Sequence, residues 1–470
     1  MSENNKNIEQ FIEKLSKDST DGLSVYFLGI GGIGMSALAR YFKSRGVKVS
    51  GYDKTETVLT RQLQSEGIEV HFEDDVDLID KNADFAVYTP AISADHNELK
   101  YLLANGYAVL KRSEVLGLIT RSSFNVCVAG THGKTTTSTM IAHILRHSDT
   151  GCNAFLGGIS SNYGTNFWSS EKNISVVEAD EYDRSFLKLS PDVAVITAMD
   201  PDHLDIYETE QNFHDAFVEF SSKVKPGGLL ISKYGLSSQF KTERKKTYSL
   251  NNELSDCYAK NIVNKNGVYF FDAVLEDHTI SHIELNMGGL HNIENMIAAI
   301  AAVKQIGVSD EKIKNAVAAF RGVKRRFEYI VNTGSLIMID DYAHHPKELT
   351  ALIEGTKNIF PEKKCTIVFQ PHLYSRTRDF ADGFAEALNL ADEVFLLPIY
   401  PAREKPIEGV SSNLIASKMD TKKARVCSKE ELMDLIKIKN SNNEIEVLLT
   451  SGAGDIDAMI NPLSKILKGN

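Results

Sequence analysis

One segment, Val128-Ala-Gly-Thr-His-Gly-Lys-Thr-Thr-Thr137, constrains the fold of this chain more than any other. An apolar run from Phe124 to Ala129 predicts a strand before its turn, and a run with helical period follows to Leu145. A strand, a glycine-bracketed turn and a helix in this order point backbone N–H groups at a phosphate. Lys134 adds a charge for the β/γ-phosphates, and the Thr135 hydroxyl can bind Mg²⁺. The segment therefore predicts a nucleoside triphosphate site in an α/β domain.

Length and composition predict a globular protein of about three domains. The chain has 470 residues, of which 42% are hydrophobic, and no apolar run approaches the roughly 18–20 residues of a membrane span. The polar stretch from Met1 to Gly22 is unlike a signal peptide and predicts at most one short helix, around Ile8 to Leu15. We therefore expect no membrane partner.

Cysteine usage and charge narrow the compartment and the partners. Five scattered cysteines, none in a C-x-x-C pair, favour a reducing cytoplasm over a disulfide framework or a zinc site. A formal charge of −11 argues against nonspecific nucleic-acid binding. Anionic ligands would then meet local basic clusters, and the candidates are Lys324-Arg325-Arg326 and Arg376-Thr-Arg378.

Strand-like runs alternate with helix-period runs along the chain, which predicts α/β architecture with mainly parallel sheets. We expect three domains: residues 1–121 Rossmann-like, residues 122–326 a mixed sheet like that of P-loop ATPases, and residues 327–470 Rossmann-like. The predicted strands are Ser24–Leu28, Lys48–Tyr52, Phe85–Tyr88, Ser175–Val177, Val193–Thr197, a strand-rich stretch over Val268–Leu285, Ser335–Ile339, Cys365–Phe369, Val394–Leu397 and Glu446–Leu449.

A second glycine turn lies near the amino terminus. Gly29, Gly31 and Gly34 fit a G-x-G-x-x-G pattern between a predicted strand and helix, and Asp53 ends the next strand. The pattern indicates a ligand with a diphosphate and a ribose. NAD is the default ligand, but a UDP-sugar meets the same requirements.

Polar residues follow the strands of the central and third domains. Glu178 and Asp180 end a strand near the phosphate loop, where carboxylates commonly bind Mg²⁺, and His203 follows the next strand. Glu181 and Asp183 could equally form a helix-capping cluster. Asn292 and Asn295 share a helix face and could contact adenine or act as caps, and Arg325 and Arg326 could reach a phosphate or be solvated hinge charges. A cluster suited to a carboxylate or phosphate contains Tyr342, His344, His345, His372, Arg376 and Arg378.

Taken together, these segments resemble the Mur ligase family. The resemblance spans nearly the whole chain, in order. It is found in Gly29-Ile-Gly-Gly-Ile-Gly-Met-Ser36, Gly130-Thr-His-Gly-Lys-Thr-Thr-Thr137, Glu178-Ala-Asp-Glu181, Asp202-His203, His291-Asn292, Arg325-Arg-Phe327, Asp340-Asp-Tyr-Ala-His-His-Pro346, Gln370-Pro-His372 with Arg376-Thr-Arg378, and Ser451-Gly-Ala-Gly-Asp455. The first loop and the 340–346 run are most similar to the alanine-adding branch.

The resemblance implies an ATP-dependent ligase of peptidoglycan precursor synthesis, with Mg²⁺ as cofactor and links to cell shape and division. The lactyl carboxylate of UDP-N-acetylmuramate would be phosphorylated by ATP, and L-alanine would attack the acyl phosphate. Such a protein would be a cytoplasmic monomer or weak homodimer.

The resemblance also implies roles for individual residues. ATP would be bound by Gly130, Thr131, His132, Gly133, Lys134, Thr135, Thr136, Asn292, Asn295, Arg326 and Asp341. The metal ligands would be Thr135, Glu178 and His203. The UDP-sugar would be bound by Gly31, Gly32, Ile33, Gly34, Asp53, Thr89 and Ala91, and L-alanine by Tyr342, His372 and Arg376. The catalytic set would be Lys134, Glu178, His203, Arg326, His372 and Arg376.

The chain departs from the family pattern in places. Leu373 stands where typical members have an arginine, so the grip on the amino-acid carboxylate would differ, and Ala343 replaces a common glycine. No lysine occurs between His203 and Ser222, so we expect no carbamylated lysine. Three alternatives stay open: a ligase that adds a recycled tripeptide to the same nucleotide sugar, an NAD-dependent oxidoreductase, and a non-catalytic nucleotide switch.

Overall fold

Three β-sheets organise the described part of the chain in this computed structural model, which covers Phe11 and residues 22–201, 204–236, 239–265, 267–276, 278–402, 404–420 and 422–469. The helix expected around Ile8 to Leu15 lies outside these residues, apart from Phe11. The chain forms two units. The first unit contains Met1–Lys260, Asp272–Ile283 and Glu294–Phe320, and the second contains Asn261–Phe271, Glu284–Ile293 and Arg321–Asn470.

The first sheet is parallel, with strand order β3-β2-β1-β4-β5. Its elements are β1 Ser24–Leu28, α1 Ile33–Ser44, β2 Lys48–Tyr52, α2 Val58–Ser65, β3 Glu69–His71, β4 Phe85–Tyr88, α3 Asn97–Ala104, β5 Val109–Lys111 and α4 Arg112–Ser122. Every residue of β1 is buried, as expected for a central parallel strand covered on both faces. The carboxyl ends of these strands therefore share one edge, where the first glycine turn follows β1.

The second sheet has ten strands in the order β15-β14-β13-β12-β11-β10-β6-β9-β7-β8. Its elements are β6 Phe124–Ala129, α5 Lys134–His147, β7 Asn153–Phe155, β8 Phe167–Trp168, β9 Ile174–Glu178, β10 Val193–Ile196, α6 Leu204–Tyr207, α7 Glu210–Ser221, β11 Leu229–Lys233, β12 Arg244–Tyr248, β13 Cys257–Lys265, β14 Val268–Leu275, β15 His278–Leu285, α8 Leu290–Lys304 and α9 Asp310–Ala319. The β8 strand pairs antiparallel with β7, whereas β6 pairs in parallel with β9 and β10, so the sheet is mixed.

The third sheet has the order β16-β17-β21-β18-β19-β20 and is parallel except for β16. Its elements are β16 Glu328–Asn332, β17 Ile337–Asp341, α10 Pro346–Ile359, β18 Cys365–Phe369, α11 Tyr374–Asp379, α12 Ala381–Leu388, β19 Glu393–Leu396, α13 Ser412–Ala416, β20 Ala424–Val426, α14 Lys429–Ser441, β21 Val447–Ser451 and α15 Ile460–Lys468. The strand predicted at Ser335–Ile339 lies two residues later in the structure, at Ile337–Asp341, because Asp340 and Asp341 continue the ladder opposite Thr450 and Ser451.

Aromatic side chains join the first two sheets into one core within the first unit. Tyr41 of α1 lies 5.2 Å from the ring of Phe155 and 6.2 Å from that of Phe167. A buried apolar cluster runs from β1 through these rings to α7. The α/β fold class is therefore confirmed, and the two glycine turns of the first unit belong to one packed body. The domain limits at residues 121 and 326 stay a prediction. None of the described helices is both long and apolar enough to cross a membrane.

Candidate active site

The phosphate loop connects β6 to α5 in the first unit. Gly133 has φ +81°, a left-handed conformation that favours glycine, and a Cβ there would lie 2.8 Å from Oδ1 of Asn295. The loop is closed from the carboxyl end of β10, because the Thr131 N–H donates to the Ala198 carbonyl at 3.2 Å and the Thr197 hydroxyl donates to the His132 carbonyl. Thr135 and Thr136 follow in the first turn of α5. The loop thus leads directly into the N-terminus of α5.

Lys134 is held inside this loop by a buried acid. Its Nζ donates to the Gly130 carbonyl at 2.6 Å and to the Glu181 carboxylate at 2.8 Å. The Lys134 side chain is 14% exposed and that of Glu181 only 2%. Burial opposes the charge on Lys134, but Glu181 and the nearby Asp180 and Glu178 outweigh burial and raise its pKa. Lys134 therefore stays charged at the position where a phosphate would bind.

Glu178 ends β9 beside the same loop. Its Oε1 accepts a hydrogen bond from the Thr135 hydroxyl at 3.0 Å, and its Oε2 accepts one from the Gly157 N–H at 2.8 Å. An adjacent hydroxyl and carboxylate are hard oxygen donors of the kind Mg²⁺ prefers, so these residues fit that cation. The described residues contain no group of three or more His, Cys, Asp or Glu that could hold a metal, and the expected ligand His203 lies outside them, as does Asp202.

The asparagines expected near adenine both lie on α8 and are largely buried, Asn292 at 1% and Asn295 at 9% exposure. Nδ2 of Asn292 donates to the Gly288 carbonyl at 2.6 Å, a contact that anchors the start of the helix. Asn295 lies against Gly133, so the structure brings it to the phosphate loop. The sequence predicts that Asn292 and Asn295 share a helix face, but it does not predict that one contacts Gly288 and the other Gly133.

The first glycine turn follows β1. The Gly31 N–H donates to Oδ2 of Asp53 at 2.7 Å, so the acid expected to bind a ribose also fixes the turn. Thr89 follows β4 and its methyl group would lie 2.6 Å from a Cβ at Gly29, while Ala91 lies within the turn closed by the Ile92 N–H and the Thr89 carbonyl at 3.0 Å. These residues are therefore gathered at one edge of the first sheet.

A cavity of about 360 Å³ joins this glycine turn to the Glu178 carboxylate. It lies wholly in the first unit. It is lined by Gly32, Ile33, Gly34, Met35, Ala37, Thr89, Arg112, Leu116, Phe155, Leu156, Gly157, Glu178 and Asp180. Glu178, which lines this cavity, in turn accepts a hydrogen bond from Thr135 at the start of α5. The first glycine turn and Glu178 thus line a common space at the carboxyl ends of parallel strands, where such sheets place ligands.

Two residues that the sequence did not single out shape this cavity. Arg112, the first residue of α4, lies against Gly34 so closely that a Cβ there would clash with the guanidinium. Asn166 donates to the Ile33 carbonyl at 2.5 Å and accepts from Nη1 of Arg40 at 2.7 Å. Asn166 therefore ties the first turn of α1 to the segment before β8. The only sequence signal for Arg112 was its position directly after a strand.

In the second unit, the predicted polar residues gather at the carboxyl edge of the third sheet. Nε of Arg325 pairs with Oδ2 of the fully buried Asp340 at 3.0 Å, and its Nη2 donates to the Gly452 carbonyl at 2.7 Å. The guanidinium of Arg326 lies 5.3 Å from the ring centre of Tyr342. Arg325 is thus held by an ion pair and a backbone hydrogen bond, and its guanidinium also lies 5.2 Å from the Tyr342 ring centre.

Asp341 ends β17 and accepts two backbone hydrogen bonds, from the Phe327 N–H at 2.6 Å and the Ala343 N–H at 2.7 Å. Burial raises the pKa of Asp341 to about 6, against the opposing charge of Arg326. A carboxylate so placed orders the chain that enters the third sheet. Whether it also binds a ribose stays a prediction.

The candidate amino-acid site lies between β18 and α11. The rings of His372 and Tyr400 stack at 5.8 Å, those of His344 and His372 lie 6.2 Å apart, and Nδ1 of His372 is buried with no hydrogen-bond partner among the described residues. Burial, with the nearby His344 and Arg376, lowers the pKa of His372 to about 4, so its imidazole is neutral near pH 7.

Leu373 and Arg376 complete this site. Leu373 adopts φ +68°, which is strained for a leucine, and its N–H donates to the Tyr400 carbonyl at 2.9 Å. No hydrogen bond or ion pair engages the Arg376 guanidinium among the residues that the structure describes. A neutral imidazole and an available guanidinium side by side can bind a molecule that has both an amine and a carboxylate.

Three family models match consecutive parts of the chain. The Mur ligase family catalytic domain matches residues 24–123, the Mur ligase middle domain matches residues 128–303, and the Mur ligase glutamate ligase domain matches residues 325–454. Together they cover most of the chain.

Individual relatives match along almost the entire length. A protein of Phocaeicola vulgatus named UDP-N-acetylmuramate–L-alanine ligase is 48% identical over 452 residues, covering 94% of this chain and 98% of the relative. A protein of the same name from Parabacteroides distasonis is 48% identical over 453 residues, covering 94% and 97%. The crystal structure of UDP-N-acetylmuramate-alanine ligase MurC from Thermotoga maritima matches with a TM-score of 0.80 and 27% identity, covering 95% and 99%. A murein peptide ligase from Psychrobacter arcticus, at 23% identity and a TM-score of 0.67 over 95% and 99%, shares the fold.

Proposed function

This chain belongs to the Mur ligase family, and from that premise we propose that it is an ATP-dependent ligase joining L-alanine to the lactyl carboxylate of UDP-N-acetylmuramate. The reaction supplies a precursor of peptidoglycan. The relatives of the same name, which match 94% of this chain, support this assignment.

One observation supports the layout above all others. The cavity of about 360 Å³ has the first glycine turn at one end and Glu178 at the other, and Glu178 is hydrogen-bonded to Thr135 of the phosphate loop. A nucleotide sugar with its diphosphate at the glycine turn would direct its carboxylate toward the phosphate loop. An acid group and a γ-phosphoryl group could then meet in line.

The chemistry requires phosphorylation because a carboxylate is a poor electrophile. Transfer of the γ-phosphoryl group to a carboxylate oxygen gives ADP and an acyl phosphate, and attack by the amine then expels phosphate and forms the amide. Lys134 would bind the β/γ-phosphates, with the loop residues from Gly130 to Thr136 around them. We assign Thr135 and Glu178 to Mg²⁺, with His203, and Mg²⁺ when bound neutralises phosphate charge.

The residues of the second unit are assigned by their own chemistry. Arg376 would bind the carboxylate of L-alanine, and neutral His372 would accept a hydrogen bond from its ammonium group, beside Tyr342. Arg326 would bind phosphate and Asp341 the ATP ribose.

For the nucleotide sugar, we assign Gly31, Gly32, Ile33, Gly34, Asp53, Thr89 and Ala91, and for adenine Asn292 and Asn295. The three-domain division at residues 121 and 326, a cytoplasmic location and a monomer or weak homodimer complete the proposal. Substrates of this kind, ATP and a nucleotide sugar, are metabolites of the cytoplasm.

Phosphate release tests the assignment directly. With ATP, Mg²⁺ and UDP-N-acetylmuramate present, release should depend on an added amino acid, and a scan across L-alanine, L-serine, glycine and the tripeptide should favour L-alanine. Preference for the tripeptide would instead identify the recycling ligase. Phosphate release that ignores the nucleotide sugar would indicate a nucleotide switch, and binding of NAD would indicate an oxidoreductase.

A further inference from the structure

The cavity beside the first glycine turn has one positive side chain among its described lining residues. Among the described residues that line it, Arg112 is the only lysine, arginine or histidine, whereas Glu178 and Asp180 are both acidic. A nucleotide sugar with a carboxylate is a polyanion, and the whole chain has a formal charge of −11. Such a ligand would meet like charge in this cavity unless a cation offset it.

The guanidinium of Arg112 is directed at the glycine turn. Arg112 is the first residue of α4 and follows β5 directly, so it starts at the carboxyl edge of the first sheet. A Cβ at Gly34 would clash with Nη1 and lie 2.9 Å from Cζ of Arg112. The absence of a side chain at Gly34 therefore leaves the space that this guanidinium occupies. The guanidinium lies where the turn N–H groups would face a diphosphate.

The present partner of Arg112 is weak and replaceable. Its Nη2 lies 3.7 Å from Oδ2 of Asp180, and the two side chains are 24% and 42% exposed. A long, partly solvated ion pair of this kind adds little to stability. A phosphate close to the guanidinium can accept two hydrogen bonds at once, whereas Asp180 approaches it with one oxygen at 3.7 Å, so the phosphate is the stronger partner.

We propose that Arg112 binds the diphosphate of the nucleotide sugar and exchanges Asp180 for it when the ligand enters. The inference rests on the proposed function, because it assigns a residue to the same substrate. It goes beyond that function by naming a side-chain cation for the diphosphate, which the glycine pattern alone would leave to backbone N–H groups.

Equilibrium binding by calorimetry, without ATP, tests the assignment with UDP-N-acetylmuramate and with UDP. Arg112→Ala should weaken the binding of both ligands by similar factors, about 10- to 100-fold, since a hydrogen bond to a charged group is lost. Arg112→Lys should retain part of the affinity, because lysine keeps the positive charge but lacks the paired N–H donors of a guanidinium. Arg112→Gln repeats the test with a side chain of similar length, should the alanine variant fold poorly.

Lys111 provides a matched control. It is the neighbouring cation, but its Nζ pairs with Oδ2 of Asp183 at 2.9 Å and it does not line the cavity. Lys111→Ala should change either affinity less than twofold. A similar loss in both alanine variants would indicate a general field effect and overturn the specific assignment.

Other outcomes are equally decisive. If the wild-type chain binds both ligands and Arg112→Ala and Arg112→Gln bind UDP as tightly as wild type, Arg112 does not contact the diphosphate. A loss limited to UDP-N-acetylmuramate would place Arg112 at the carboxylate instead and overturn the proposal. If wild type binds neither ligand, the proposed function itself is wrong.

Discussion

The ion pair between Lys134 and Glu181 should dominate what happens when the phosphate-loop lysine is replaced. Lys134→Met removes the partner of a carboxylate that is only 2% exposed, while the Gly130 carbonyl also loses its donor. Breaking a buried pair from one side costs about 3–5 kcal/mol of unfolding free energy, because the remaining charge is uncompensated. We expect a loss of this size at pH 8, along with loss of ligation.

The pH dependence of that loss follows from the remaining acid. Burial raises the pKa of Glu181, and removing the lysine that opposes this effect raises it further. A carboxyl group with a raised folded pKa loses stability as the pH rises above its unfolded value of about 4.3. The penalty of Lys134→Met should therefore be small near pH 4 and grow toward pH 8.

A double variant separates stability from catalysis. Lys134→Met with Glu181→Gln removes both charges and should recover much of the lost stability, while ligation stays absent and UDP-N-acetylmuramate affinity is largely kept. Trp168 is the only tryptophan of the chain and is 7% exposed in the first unit, so its fluorescence during urea unfolding reports on this body. The pair is not coupled as described if Lys134→Met unfolds at the wild-type urea concentration at pH 8. The same holds if the effects of Lys134→Met and Glu181→Gln, each measured alone, simply add in the double variant. Loss of UDP-sugar affinity in a folded variant would contradict the separate binding sites.

Three further changes test other parts of the molecule. Arg376→Ala should raise KM for L-alanine about 10- to 100-fold with little change in UDP-sugar affinity, and an unchanged alanine dependence in steady-state assays would remove Arg376 from the amino-acid site. Asn166→Ala should lower the free energy of unfolding, followed by Trp168 fluorescence, by about 1–3 kcal/mol. It should also weaken the binding of UDP-N-acetylmuramate several-fold, because Asn166 anchors Ile33. A selective loss of ATP affinity would contradict this. Glu98 is fully buried and burial raises its pKa to about 7, so Glu98→Gln should gain up to about 3 kcal/mol relative to wild type as the pH rises from about 4.5 to about 7; a pH-independent difference in urea unfolding would refute it.

Strand positions illustrate how far the sequence could be followed. Cys365–Phe369 was predicted to the residue because an apolar run between polar segments marks a buried parallel strand. By contrast, β17 and β21 extend to Asp341 and Ser451, beyond their predicted ends. Their last residues are polar and look like loop, but they continue the ladder, and Thr450 donates a hydrogen bond to Asp340 at 2.7 Å.

The candidate site divides in the same way. Gly133, Lys134 and Thr135 could be assigned from sequence because a phosphate loop is a local structure, formed by residues within one turn of each other. The Lys134–Glu181 pair could not be predicted, because the sequence indicates Glu181 only as a possible member of a helix-capping cluster. Its carboxylate reaches the loop only because β9 lies beside β6 in the sheet.

The sequence by itself determined the two glycine turns, the alternation of strands and helices, and the family of the chain, since each depends on neighbouring residues or on motifs kept in order. Only the tertiary structure decided which side chains complete these turns. Arg112 at Gly34, Glu181 at Lys134 and Asn166 at Ile33 bring together residues 78, 47 and 133 positions apart. Contacts over such separations are set by sheet order and by the packing of one sheet's helix on the next, which no local pattern of residues specifies.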